Sequence, residues 1–244
     1  LSRSILPDGL SEIEQEIPVV MEMIARTARW VHPAVFRELP VWRPDTARKL
    51  PLLMADWVTP ATTLKGEQKV EGNVAAQASL MSALGIARPF PRNWTTCHLW
   101  GYDDDRFVGS SDIVRDRRFF SCVANMVLLP TPLKGFTDAV PTIKRHLRVC
   151  AFHLYGWACE HPLVEREAAA VRGGEIPEGY PEGWPTSKRR ILPPGTGPCS
   201  EYILDKAAKR KREIAALLGN VHFANYPREA VREVLDFWKV NLNR

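Results

Sequence analysis

Two β-like runs held apart by a polar, acid-rich stretch constrain the middle of this chain more than any other feature. The first, Trp94-Thr95-Thr96-Cys97-His98-Leu99-Trp100, is rich in the aromatic and β-branched residues that suit a pleated, half-buried surface. The second, Ala124-Asn125-Met126-Val127-Leu128-Leu129-Pro130, is short, apolar and entered through an asparagine. Between them, from Gly101 to about Arg118, Asp103-Asp104-Asp105 and Gly109-Ser110-Ser111 read as turn signals. After the second run, Thr131 is expected to cap a short helix with Pro132 in its first turn. That helix carries Lys134 and Asp138, one turn apart on one face. The spacing predicts strand, long loop, strand and helix, with His98 near the end of the first strand.

The rest of the chain reads as mostly helical. Ser11 to about Trp30 has a capping-box pair, Ser11 and Glu14, and apolar residues at helical spacing, with Pro18 expected to kink or split it. Irregular structure is expected from His32 to Pro51, and a strand or buried turn containing Trp57 from Pro51 to Thr63. Asn73 to Leu84 is predicted helical, with Val74, Ala78 and Met81 on one face and Gly85 as its stop. A further helix is predicted over Thr142 to Trp157, with Ile143, Leu147, Cys150 and Leu154 as its buried stripe. Gly, Pro and charge dominate Gly173 to Pro198, a linker or a long ordered loop. Helices from Ser200 to Leu218 and from Pro227 to Leu242 close the chain. Segments 1–90, 91–160, 161–198 and 199–244 are the expected organisation.

An apolar fraction of 45% with 25% charged residues is typical of a soluble globular protein, and no apolar run is long enough to span a membrane. The net charge of +5 fits a polyanionic partner. Five widely spaced cysteines, an odd number, point to free thiols in a reducing, cytoplasmic setting. Leu1-Ser2-Arg3-Ser4 lacks the form of a secretory leader and an initiator Met, so residues are expected upstream.

The His98–Trp100 run, the five residues Asn125-Met126-Val127-Leu128-Leu129 and the polar helix behind them resemble the HNH, or ββα-metal, nucleases. In that family a His-His-Ile-x-Pro-like segment supplies a base, an Asn-Leu-x-Leu-Leu-like segment supplies an orienting Asn, and a polar residue nine positions on lies on the helix. The resemblance implies an α+β fold, mostly helical, with an embedded small ββα-metal element. It implies metal-dependent hydrolysis or nicking of DNA, with His98 as base, Asn125 as orienter, and Asp138 and Cys97 at a divalent cation. Mg²⁺ or Mn²⁺ suits the carboxylate oxygen of Asp138, and Zn²⁺ would suit the sulfur of Cys97. Lys134 departs from the pattern, because a protonated amine has no lone pair for a metal; it would instead contact phosphate as a fixed charge. Such modules occur in restriction, phage defence, mobile elements and bacterial toxins.

Each candidate has an ordinary structural counterpart. His98 can be a core histidine, Asn125 a turn residue and Asp138 a cap for the helix that follows. Lys144, Arg145 and Arg148 form either a solvated helix face or a phosphate track, and Lys188, Arg189, Arg190, Lys209, Arg210, Lys211 and Arg212 are the other basic candidates for DNA contact. Cys150, His153, Cys159 and His161 raise structural zinc, although Cys-x₂-His-x₅-Cys-x-His is unlike the usual paired spacing. Two alternatives to a nuclease therefore stand. One is a non-catalytic nucleic-acid-binding or protein-interaction subunit on a degenerate HNH scaffold, favoured by Cys97 and Lys134. The other is a helical protein whose basic C-terminal segment meets an acidic partner.

Overall fold

The computed structural model describes residues 6, 8–48, 61–62, 68–69, 73–101 and 112–242. Trp57, with most of the element expected at 51–63, and residues 102–111 of the acid-rich loop lie outside them. The chain is a mixed α+β fold, mostly helical, with two small antiparallel strand pairs among the described residues. No helix among the described residues is long and apolar enough to cross a membrane.

Local chemistry explains how the chain starts. Asp8, not Ser11, caps the first turn, α1 (Gly9–Glu12), by accepting from the Leu10 amide. A 3₁₀ turn over Glu14–Glu16 follows, and Pro18 sits in the first turn of α2 (Ile17–Thr27), where its missing N–H is harmless. The expected long helix is thus split at Pro18. In α3 (Pro33–Glu38), His32 caps the helix by accepting from the Ala34 amide at 3.1 Å. The short strands β1 (Ala61–Thr62) and β2 (Gln68–Lys69) pair with each other. On α4 (Asn73–Ala83), Ala76, Leu80 and Met81 are buried, whereas Val74 of the expected apolar face is exposed.

Strand β3 (Trp94–His98) pairs antiparallel with β4 (Met126–Pro130), so that His98 lies opposite Met126 and Cys97 opposite Val127. Between them come α5 (Asp112–Arg115) and α6 (Arg117–Phe120), and α7 (Thr131–Ala139) follows β4 without a break. The ordered strand–loop–strand–helix path expected from the sequence is present. The other edge of β4 is occupied as well, because Arg29 and Leu128 exchange two backbone hydrogen bonds. Both edges of β4 are therefore engaged, which suits a strand buried along most of its length.

Next come α8 (Pro141–Tyr155), α9 (Glu165–Arg172), α10 (Glu201–Gly219) and α11 (Arg228–Phe237). The last helix ends short of the expected Leu242, and Val231, Val234 and Leu235 are its buried stripe. The Gly/Pro segment is an ordered loop and not a loose linker. It buries Trp184 edge-on against Trp30, at 5.8 Å between ring centroids, and Trp30 exchanges backbone bonds with Gly195 and Gly197. Gly195 has φ +77°, and a Cβ there would lie 2.1 Å from the Ala28 carbonyl, so only glycine fits that approach. The main core draws on all four expected segments, from Val20 through Leu129 and Val171 to Ala207.

Candidate active site

Two of the residues singled out in the sequence, His98 and Asn125, meet where the long connection returns to β3, whereas Cys97, Lys134 and Asp138 gather around α7 on the other side of the strand. Three consecutive carbonyls at the end of α6 accept from side chains on other elements. Trp238 Nε1 donates to Arg118 O at 2.9 Å, Asn125 Nδ2 to Phe119 O at 3.1 Å, and His98 Nε2 to Phe120 O at 2.8 Å. A helix end leaves such carbonyls without intrahelical partners, which makes them available for this use. Asn125 reaches in the other direction too: its Oδ1 accepts from the Trp100 amide at 2.8 Å, and its backbone carbonyl accepts from Leu99. One fully buried amide thus ties the chain just beyond β3 to the end of α6. Gly101 makes the exit with φ +87°, and any Cβ there would collide with Ile113.

His98 is 7% exposed and lies parallel to Phe120, with 5.7 Å between ring centroids. A carbonyl can only accept, so Nε2 carries the proton and the neutral ring keeps its lone pair on Nδ1. Burial depresses the pKa of His98 from the ordinary 6.5 to about 4; the Phe120 carbonyl opposes this, and Arg48, Lys144 and Lys134 reinforce it. This histidine is therefore neutral across the physiological range.

A stability consequence follows. Below pH 6.5 the unfolded chain takes up a proton that native His98 refuses. The contribution is complete above pH 6.5 and is lost as pH falls from 6.5 to about 4. At about 1.4 kcal/mol per pH unit, that interval corresponds to roughly 3 kcal/mol. Denaturant titrations of the parent and of His98→Gln across pH 4 to 7 should show a steeper acid loss in the parent. Parallel curves would show that His98 does not resist protonation.

Cys97 faces α7 from the opposite side of the strand, with its sulfur 3.2 Å from Thr137 Oγ1. Burial raises the thiol's pKa, against the pull of Lys144 and the Thr137 hydrogen bond, so it stays protonated. On α7, Lys134 donates to Asp138, while Thr137 Oγ1 donates to the Lys134 carbonyl and lies 3.4 Å from Asp138 Oδ1. Among the described residues, no group of three or more His, Cys, Asp or Glu side chains is arranged to hold a metal ion. A buried protonated thiol is a poor zinc donor. Asp138 is a single half-buried hard-oxygen donor, and its carboxylate is ion-paired with Lys134.

Other expected site residues are placed differently. Lys144 and Arg148 are 2% and 3% exposed, so these two form neither a solvated face nor an open phosphate track. Arg148 donates to the Leu99 carbonyl at 2.7 Å and stacks over Trp100, bracing the same β3 exit. Arg145 is exposed and paired with Glu175 at 2.5 Å. In the loop, Arg189 donates to the Trp184 carbonyl and is partly buried, whereas Lys188 and Arg190 are exposed. Lys211 is buried against Glu38 and Arg210 is tied to Trp42, leaving Lys209 and Arg212 as the exposed members of that run. The Cys/His constellation divides among separate tasks. Cys150 and Cys159 are buried thiols with raised pKa values, the latter pushed up to about 12, and His161 accepts from the Leu163 amide as a cap.

Sequence reasoning missed the carbonyls of Phe119 and Phe120 and the hydroxyl of Thr137. Thr137 lies beside Asp138 on α7 and was legible as a polar residue of that short helix. The carbonyls carry no side-chain signal at all. Comparison of the chain with known protein families, curated proteins and solved structures finds no match.

Proposed function

We propose that this chain is an HNH-type endonuclease that hydrolyses DNA phosphodiester bonds in a metal-dependent reaction. One observation carries the reading: Asn125 and His98 donate as a pair to successive carbonyls at the end of α6, which leaves the neutral His98 lone pair on Nδ1. A general base needs a free lone pair on a fixed ring, and that pairing supplies both. His98 Nδ1 would take the proton of the attacking water. The resulting imidazolium would hold its Nε2–H on Phe120 O in a stronger, charge-assisted bond. Asn125 acts as a positioning residue by fixing the backbone to which His98 bonds. Lys134 would offer its ammonium to a non-bridging phosphate oxygen. The cation, held through Asp138, would supply charge stabilisation at the phosphate.

The second reading, a non-catalytic subunit binding nucleic acid or protein on a degenerate HNH scaffold, is favoured by the Lys134–Asp138 pair, which engages the carboxylate proposed for the metal. Supercoiled plasmid incubated with Mg²⁺, Mn²⁺, Zn²⁺ or EDTA separates the two. Nicked or linear product with Mg²⁺ or Mn²⁺, abolished by EDTA, is the expected result; intact plasmid under every condition would leave the non-catalytic reading. In the same assay Lys134 competes with the metal for Asp138. Lys134→Ala should move the metal midpoint to lower concentration, and Asp138→Asn should move it higher. Unmoved midpoints in both variants would remove Asp138 from the metal site.

A further inference from the structure

A second site lies away from His98. A cavity of about 370 Å³ opens where α4, the segment at Trp42–Arg43, the turn at Ile86–Phe90 and α10 meet. Its charged lining is Arg43, Arg88, Lys206, Lys209 and Arg210 against the single carboxylate of Glu213. Arg210 is committed to the protein: it donates to the Trp42 carbonyl at 2.8 Å, to Asp45 at 3.3 Å and to Glu213 at 3.2 Å. Those two carboxylates leave three of the five cations in excess. The excess bears on Arg43, whose pKa is lowered by burial and by repulsion from Arg210 and Arg88, with Asp45 and Glu213 opposing. Lys206 and Arg88 rest over the rings of Tyr202 and Phe90, contacts that hold them at the rim without neutralising them. Trp42 also lines the cavity, and its indole N–H, in a buried ring, has no acceptor among the described residues.

Chains do not gather unneutralised cations around a concavity without some gain, because like charges there disfavour folding. The chemistry that repays this is a ligand with several negative charges and acceptor oxygens. Guanidinium and ammonium groups match phosphate in both respects. The volume is within the range of small-molecule sites and exceeds what a single phosphate fills. We infer that this cleft, bounded by Arg43, Arg88, Lys206 and Lys209, binds the phosphate groups of a nucleotide or of a nucleic-acid strand. The site is built independently of His98 and holds whether or not the chain cleaves DNA.

The full chain would be titrated with ATP and, separately, with a twelve-residue oligothymidylate, at low and moderate salt. The parent is expected to bind at least one probe with affinity that weakens as salt rises. The double variant Arg88→Gln/Lys209→Gln removes two exposed cations without touching the core, and should lose about tenfold or more in affinity. Arg166→Gln/Arg232→Gln, exposed and outside the cleft, should bind as the parent does. Comparable binding of both probes assigns the site to a nucleotide, and binding of the oligothymidylate alone assigns it to a strand. No binding of either probe by the parent, or equal losses in the cleft and control variants, would overturn the proposal. His98→Gln in the same titration keeps the outcome separate from the nuclease reading, because its probe affinity should equal the parent's even if it cleaves nothing.

Discussion

His98→Gln should lower the single-turnover rate of plasmid cleavage by about 10²–10⁴-fold, the usual contribution of a general base. Glutamine is the informative replacement because its amide can still donate to Phe120 O, yet it has no basic nitrogen. His98→Ala should lose activity equally but is a harsher change than a strand-end position suggests. The ring is buried, stacked on Phe120 and bonded to a buried carbonyl, so truncation removes packing and strands an acceptor. Losses of about 2–4 kcal/mol in stability are expected for alanine and distinctly less for glutamine. The acid limb of the rate profile should fall near pH 4, where native His98 takes up its proton, and not near 6.5. A glutamine variant that cuts at the parental rate would rule out His98 as the base, whatever its stability.

How much of this was legible in the sequence divides along the range of the interactions. The strands β3 and β4, and α7 behind them, follow from local composition, and Asn125 stands at the entrance to β4 where the motif placed it. The charge on α8 was legible but its environment was not. Lys144 and Arg148 carry charges that a helical pattern assigns to solvent, yet both are buried, and Arg148 bonds to the Leu99 carbonyl far away in sequence. The run Lys209 to Arg212 shows the same limit. Four adjacent basic residues read as one patch, but a helix distributes them around its circumference, so Lys211 meets Glu38 while Lys209 turns to the cleft. Arg43 and Arg88, the other half of that cleft, lie in segments with no periodic signal. Tertiary assembly alone brings them together.

Asn125→Ala should be among the most damaging single changes in the chain, and its effect should reach His98. The substitution leaves the Trp100 N–H without its acceptor and takes one donor from the Phe119 carbonyl, which keeps the Cys122 N–H at 3.3 Å, and Asn125 is fully buried. The stranded amide costs about 1–3 kcal/mol and the cavity left by the side chain adds to it, so a loss of roughly 2–4 kcal/mol is expected, a large share of a typical domain's 5–15 kcal/mol. Asn125→Asp tests the accounting. It keeps an acceptor for Trp100 but replaces the donor to Phe119 O with oxygen, and should be at least as unstable as alanine near neutral pH. A purely structural amide would stop there. If Asn125 instead holds the end of α6 against β3, then releasing it should loosen the Phe120 carbonyl and admit water to the ring. The His98 pKa, followed by NMR of the imidazole carbons in a variant still folded at low temperature, should rise from about 4 toward 6.5. An Asn125→Ala protein that is destabilised but titrates His98 at the parental value would show that Asn125 supports the fold without positioning the base.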